Sequence, residues 1–284
     1  MNAAPPHVAT AWARTAPAGL AREVLQRAAL APLVSRLVQI TVHGREQLAD
    51  LSGPVVFVAN HSSHLDTPVI LGALPRRFTR RTVVAAAADY FFQVWWRAAS
   101  TALVMNTFPI ERSGGKGTTT PSDLLRQGWN LLIYPEGTRS ADGVIGPFKL
   151  GPAFLAVQCG LPVVPIALRG TYASMPRDQG WPAPGRLPVA IRFGAPVVPR
   201  PGETARQFGP RIREAVVRLV AEDAGTWWNA QHTPVPAPAR RGPGGGNRTG
   251  TGAAGQTAPA DRWRTVWQSS LPPRAPRRRS VWRR

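Results

Sequence analysis

Apolar residues in this chain fall into short continuous runs separated by segments of helical period. Val55 to Ala59 is a continuous apolar run of strand length, the pattern of a strand covered on both faces. Leu37 to Val42, Thr82 to Ala87, Asn106 to Ile110, Trp129 to Tyr134, Val163 to Leu168 and Leu187 to Phe193 read as further strands. Residues 19–36 read as a helix with Leu20, Val24, Leu25, Ala28 and Ala29 on one face and arginines around the other. Thr67 to Leu74 is a short helix stopped by Pro75, and Asp89 to Leu103 a longer one with Asp89 as its N-cap. Pro121 to Gln127 begins with proline and ends at Gly128, and Pro152 to Gln158 is closed by Gly160. Gly170 to Gly185 is rich in Pro and Gly and reads as a loop. Thr204 to Glu222 is a long amphipathic helix. Strands alternating with helices predict an α/β fold: a single domain with a mixed, mainly parallel sheet flanked by helices.

Composition sets the borders. Residues 1–18 are rich in Ala and Pro and are expected to be unstructured, with the folded domain at 19–229. After Asn229 the chain turns to Pro, Gly, Ala, Thr and Arg, too little apolar surface to fold, so 230–284 is expected to be a disordered tail. The net charge is +20, and 33 of the 35 basic residues are arginines. Eleven arginines against the single acid Asp261 place a net +10, half of the excess, in residues 230–284. Such a surface favours anionic partners. Trp263, Trp267 and Trp282 among those arginines fit interfacial membrane contact, binding to an anionic polymer, or a solvated tail without a specific role. Tyr90, Phe91, Phe92, Trp95 and Trp96 crowd one helix, as core packing or as an interfacial patch.

No apolar run reaches the ~20 residues of a spanning helix, and no secretory signal is evident. The expected location is cytoplasmic, peripheral on the inner face of the cell membrane. Cys159 is the only cysteine, so no disulfide forms within the chain; its apolar helical setting suits a buried structural thiol.

Candidate chemistry begins where the Val55–Ala59 strand ends, in Asn60-His61-Ser62-Ser63-His64-Leu65-Asp66. A loop curling into a helix start brings an imidazole and a carboxylate five positions apart within hydrogen-bond reach. The carboxylate then sets the ring tautomer, and the histidine can take a proton from a substrate hydroxyl. On its own such a pair is more often a turn and a helix cap. His64 stands three residues from His61, but zinc requires further ligands, and His7, His43 and His232 have none at useful spacing, so no metal is expected.

Three further segments follow in order: Phe108-Pro109-Ile110-Glu111-Arg112, Tyr134-Pro135-Glu136-Gly137-Thr138-Arg139-Ser140, and Leu161-Pro162-Val163-Val164-Pro165-Ile166-Ala167. Together the four blocks resemble those of the 1-acylglycerol-3-phosphate O-acyltransferase family, over roughly residues 35–222. The first block carries the family's Asn-His-x-Ser-x-x-Asp form and the third its aromatic-Pro-Glu-Gly-Thr-Arg-Ser form. Phe148-Lys149-Leu150-Gly151 is similar to the short element that follows the third block.

The resemblance implies a glycerolipid acyltransferase fold with His61 and Asp66 as catalytic dyad. It further implies that Arg112, Glu136, Gly137, Thr138 and Arg139 bind the acceptor, with Arg112 on its phosphate. The implied reaction moves a fatty acyl chain from acyl-CoA or acyl carrier protein to the free hydroxyl of lysophosphatidate, in phospholipid biosynthesis, without a cofactor. Glycerol 3-phosphate, another lysophospholipid or a glycolipid would use the same base and phosphate clamp. Glu136 is expected to orient Arg112 or Arg139, or to bond the acceptor hydroxyl. Val164-Pro165-Ile166 either lines the acyl pocket or is plain core strand. The expected partners are the acyl donor, a lysophospholipid acceptor and an anionic membrane surface, with no specific nucleic acid. A non-catalytic binder of anionic membranes or nucleic acid is the reading from a different class, carried by the charge alone.

If the tail acts only through charge, truncation after Asn229 is expected to leave turnover of a soluble substrate nearly intact and to weaken binding to anionic vesicles. Each arginine near such a surface contributes about 1 kcal/mol, a contribution that salt screens. Vesicle co-sedimentation of full-length and truncated protein at two salt concentrations checks this; equal binding by both forms would leave the tail without a role.

Overall fold

The computed structural model of the protein describes residues 10–87, 95–110 and 120–224, except the side chains of residues 87, 95–97, 223 and 224. Arg112, Asp89, the aromatic residues 90–92 and the tail at 230–284 lie outside the described residues. Seven strands form one sheet: β1 (Gln39–His43), β2 (Val56–Ala59), β3 (Thr82–Ala87), β4 (Thr107–Ile110), β5 (Asn130–Ile133), β6 (Val163–Arg169) and β7 (Pro188–Phe193). Their order across the sheet is β1-β7-β6-β2-β5-β3-β4. Every neighbouring pair is parallel except β6–β7. This is the mixed, mainly parallel sheet that the alternating pattern predicts.

Described helices are α1 (Ala16–Leu25), α2 (Ala31–Leu37), α3 (Asp66–Ala73), α4 (Arg76–Thr79), α5 (Trp95–Met105), α6 (Pro121–Arg126), α7 (Gly151–Cys159), α8 (Thr171–Ser174) and α9 (Ala205–Ala224). The short α8 falls inside the segment expected to be loop. At α6 the Thr120 hydroxyl accepts from the Asp123 N–H while Asp123 accepts from the Thr120 N–H, a reciprocal cap that satisfies two otherwise orphaned donors.

Core packing follows from the pleat. Successive residues of β2 point to opposite faces, so Val55, Phe57 and Ala59 enter one apolar cluster and Val56 and Val58 the other. The first cluster is covered by α2 and α3, through Val34, Val69 and Ile70. The second is covered by α6, α7 and α9, through Leu124, Leu155 and Phe208. Each fully buried side chain of this size contributes about 1.5–3 kcal/mol. Val164 and Ile166 are fully buried in the first cluster, so this part of the fourth block is core strand. Cys159 is half-buried against the second cluster.

The N-terminal region departs from expectation twice. Order begins before residue 19: a 3-10 turn at Ala11–Arg14 leads into α1. The cause is Arg22, which is buried and donates to the Ala13 carbonyl and, over 2.8 Å, to the Leu103 carbonyl at the end of α5. Gln26 adds a bond of 2.7 Å to the Val104 carbonyl, so α1 caps the orphaned carbonyls of α5. Second, the expected single helix runs as α1, a π turn at Gln26–Leu30, and α2. Pro32 has no N–H and its ring crowds the carbonyl four residues back, which the wider turn accommodates. Leu20, Val24, Leu25 and Leu33 on this rod are exposed. Glu23 ties α1 to α4 through Arg76 and Arg80.

Both ends of β7 depend on glycine. A Cβ on Gly170 would lie 2.1 Å from the Pro188 carbonyl oxygen, and one on Gly44 2.0 Å from that of Phe193; both glycines have positive φ. Gly53 has φ +85° but open space around it. Gly53→Ala is expected to cost about 1–2 kcal/mol, the left-handed backbone penalty alone. Gly170→Ala is expected to cost upward of ~3 kcal/mol, because backbone must also shift. Urea unfolding of the two variants checks the contrast; equal losses would refute the close approach.

Candidate active site

β2 and β5 are parallel neighbours, with Val58 opposite Ile133. The segments that leave them, Asn60 onward and Tyr134 onward, therefore emerge together at one edge of the sheet. From β2 the chain moves on past β5 to β3, whereas from β5 it crosses back over β2 to β6. Connections that diverge in this way leave a crevice at the carboxyl ends of the strands.

Asn60 sets the exit from β2. Its side-chain amide donates to the Leu168 carbonyl (2.9 Å) and accepts from the Leu168 N–H (2.8 Å), mimicking one more rung of the β2–β6 ladder. Beyond it the chain folds around the Asp66 carboxylate, which is fully buried. One oxygen, Oδ2, accepts from the backbone N–H of Ser62 (2.7 Å) and Ser63 (2.8 Å) and from Nδ1 of His61 (2.8 Å). Ser63 steadies the turn by accepting from the Leu65 N–H, and the Ser62 hydroxyl pairs with Thr171 on α8 at 3.0 Å.

A carboxylate only accepts, so in the neutral ring Nδ1 of His61 carries the proton and Nε2 keeps its lone pair. The rest of His61 is equally constrained. Its N–H donates to Glu136 Oε1 (2.9 Å) and its carbonyl accepts from the Ser140 N–H (2.7 Å). The ring of Tyr134 lies against the imidazole face, centroids 4.0 Å apart and planes 18° apart. The imidazole remains partly open to solvent, at 20% exposure.

Glu136 has its second oxygen on the Gly146 N–H at 2.9 Å. Burial pushes its carboxyl above the ordinary range, and the two backbone donors oppose that shift. One oxygen thus ties the third block to the first and the other holds the loop at Gly146, where the sequence reading expected a partner arginine or a substrate hydroxyl. The geometry explains the difference: Glu136 leaves β5 beside His61 and meets its backbone first. Gly137 turns the chain at φ +71°, and a Cβ there would meet the Lys149 side chain at 2.8 Å. Thr138 and Arg139 follow, partly buried. Arg139 donates to the Arg177 carbonyl at 3.1 Å. His64 stands close enough to feel the charges of both Arg139 and His61. Among the described residues no three His, Cys, Asp or Glu side chains converge as metal ligands would.

Residues 39–169 match the sequence model of the Acyltransferase family, spanning β1 to the end of β6 and hence the whole His61–Asp66–Glu136 arrangement. A 1-acyl-sn-glycerol-3-phosphate acyltransferase of Chlamydomonas reinhardtii is 34% identical over 180 residues, covering 63% of this chain and 52% of that protein. The human 1-acyl-sn-glycerol-3-phosphate acyltransferase beta is 35% identical over 121 residues, 40% of each chain. The crystal structure of the 1-acyl-sn-glycerophosphate acyltransferase of Thermotoga maritima superposes with a TM-score of 0.55 at 25% identity, over 71% of this chain and 81% of that one. The chain is therefore similar, through its Acyltransferase segment, to the 1-acyl-sn-glycerol-3-phosphate acyltransferases. It spans about half the length of the Chlamydomonas relative.

The structure brings His61, Asp66, Glu136, Gly137, Thr138 and Arg139 of the sequence reading to one edge of the sheet, and Arg112 lies outside the described residues. The sequence reading missed the clamp of Asn60 on Leu168, the Ser62–Thr171 contact and the stacking of Tyr134. Each joins segments 70 or more residues apart, and no spacing rule signals such a pair.

His64 generates a test. Burial, then the Arg139 and His61 charges, lower its pKa from 6.5 to about 4. Between these values the unfolded chain binds more protons than the folded one, so stability is full above pH 6.5 and falls as pH drops towards 4. His64→Gln is expected to flatten this part of the profile. Urea midpoints of both proteins at pH 7, 5.5 and 4.5 measure it; parallel profiles would mean that His64 protonates freely in the fold.

Proposed function

We propose that the protein is an O-acyltransferase that moves a fatty acyl chain from a thioester, acyl-CoA or acyl carrier protein, to the free hydroxyl of lysophosphatidate. The observation that carries this reading is the 2.8 Å bond from His61 Nδ1 to a buried carboxylate, which leaves Nε2 as a base at the mouth of the crevice. The relatives' names supply the acceptor: both curated proteins are called 1-acyl-sn-glycerol-3-phosphate acyltransferases.

The steps follow from the geometry. Nε2 accepts the proton of the acceptor hydroxyl as its oxygen attacks the thioester carbonyl carbon. Asp66 stabilises the imidazolium that forms, and because it is also bonded to two backbone N–H groups it does not move in response. The tetrahedral intermediate collapses with cleavage of the carbon–sulfur bond. The thiolate takes the proton back from Nε2 and leaves as the free thiol. No covalent acyl-enzyme is needed, because a thiolate is already an adequate leaving group. Arg139, close enough for its charge to act on His64, supplies positive charge suited to the acceptor phosphate. Glu136 holds His61 in register.

Long-chain substrates reside in membranes, and the surface suits access to one. Among the described residues no helix is long and apolar enough to cross a bilayer. Exposed Leu20, Val24 and Leu33 on α1 and α2 lie on the same rod as Arg27, and α1 is tied to α4, where Arg76 and Arg80 are half exposed. Apolar anchors flanked by arginines favour an anionic bilayer surface.

His61→Ala is expected to lower kcat on the order of 10²–10⁴-fold while the protein stays folded. Asp66→Asn is expected to lose a comparable factor by favouring the wrong tautomer. Transfer of a labelled acyl group from acyl-CoA to lysophosphatidate measures both. A folded His61→Ala protein with near-normal turnover would end the mechanism, and a wild type that acylates glycerol 3-phosphate but not lysophosphatidate would reassign the acceptor.

A further inference from the structure

We propose that Tyr134 is a positioning residue for His61, its ring acting as a fixed wall that holds the imidazole in the plane where Nε2 faces the substrate. The inference rests on the reading of His61 as the base.

Asp66 holds the imidazole by one edge only. A single hydrogen bond to Nδ1 leaves the ring free to swing about that bond, and a swing carries Nε2 away from its working position. The face of the ring therefore needs its own restraint. Tyr134 supplies it: the two rings lie nearly parallel at 4.0 Å, which is van der Waals contact over the whole imidazole face. The contact also keeps water from that face, and the π cloud attracts the imidazolium that forms during proton transfer.

The wall is itself anchored. The Tyr134 hydroxyl bonds Thr67 Oγ1 at 2.9 Å. Thr67 follows Asp66 directly on the first turn of α3, so one helical turn holds both the edge restraint and the face restraint of His61. Burial and the nearby Asp66 charge push the phenol well above its ordinary value, so its proton stays on oxygen and the hydroxyl remains available for this bond. Tyr134 is also the residue that leads β5 into Glu136, whose carboxylate holds the His61 backbone. The third block thus places its aromatic residue on the ring and its carboxylate on the main chain of the same histidine.

The distinction that tests this is ring against hydroxyl. Tyr134→Phe keeps the wall and loses only the anchor. Tyr134→Leu and the longer Tyr134→Met lose the wall. With lysophosphatidate and acyl-CoA, the Phe variant is expected to keep kcat within about threefold. The Leu and Met variants are expected to lose on the order of 10–100-fold in kcat with acceptor KM nearly unchanged, the signature of a misplaced reacting group. A Leu variant with wild-type kcat, or a Phe variant as impaired as Leu, would overturn the proposal.

Proton NMR reads the contact without turnover. The His61 ring protons, assigned by their loss in His61→Ala, are expected upfield in wild type and in the Phe variant, shifted by the stacked ring. They are expected to move downfield in Leu or Met. Absence of the upfield shift in wild type would overturn the proposal even if the apolar variants fail to fold. An upfield shift in a wild type that transfers no acyl group would confirm the wall and sink the acyltransferase reading instead.

Discussion

One buried oxygen organises the crevice. Asp66 Oδ2 draws in two backbone N–H groups and the His61 imidazole within five residues of chain. An ionised carboxylate in an apolar surrounding is costly unless donors surround it, and here the donors come from the loop that it closes. The three bonds to Oδ2 also curl the loop, start α3 and set the tautomer of the ring, while the buried Oδ1 has no hydrogen-bond partner. Replacing the carboxylate by any neutral group therefore alters loop, helix start and base together.

The second constraint is the sheet. Because β2 and β5 are parallel and adjacent, the loops that leave them lie side by side, and the Asn60 clamp on Leu168 brings β6 into the same edge. Those strands are buried on both faces, so their ends cannot drift without disturbing two apolar clusters at once. The fixed position of His61 is inherited from the middle of the sheet. The loops around Arg139 and Gly170 are tied to the same edge, through Ser140 on the His61 carbonyl and Thr171 on the Ser62 hydroxyl.

Several readings of the sequence carried through because their signals are local. The run Val55–Ala59, bounded by a prolyl start and a polar exit, becomes β2 almost residue for residue, and Thr82 to Ala87 becomes β3 without change. His61 and Asp66 are five apart in one loop, so their meeting needs no distant partner. The rod at 16–37 shows the opposite case. Its helical period is plain, but the period does not say which face is covered. The side that packs holds buried Arg22, satisfied by carbonyls of Ala13 and Leu103, while the apolar row faces outward. An arginine on a helix is ordinarily read as solvated, and only the presence of the α5 carboxyl end makes its burial favourable.

The sequence by itself determined the class of fold, the pairing of His61 with Asp66 and the order of the four blocks, because hydrophobic period, turn chemistry and short-range motifs act within a few residues. Only the tertiary structure decided which atoms each site residue touches. Glu136 reads as a ligand for cations or hydroxyls and turns out to hold two backbone N–H groups. Tyr134 reads as the first letter of a motif and turns out to lie on the face of the imidazole. Hydrogen bonds and ring contacts are satisfied by whatever neighbour folding brings within about 3–4 Å, and for the Tyr134 ring and one Glu136 oxygen that neighbour is His61, on the loop that leaves a parallel strand more than seventy residues away.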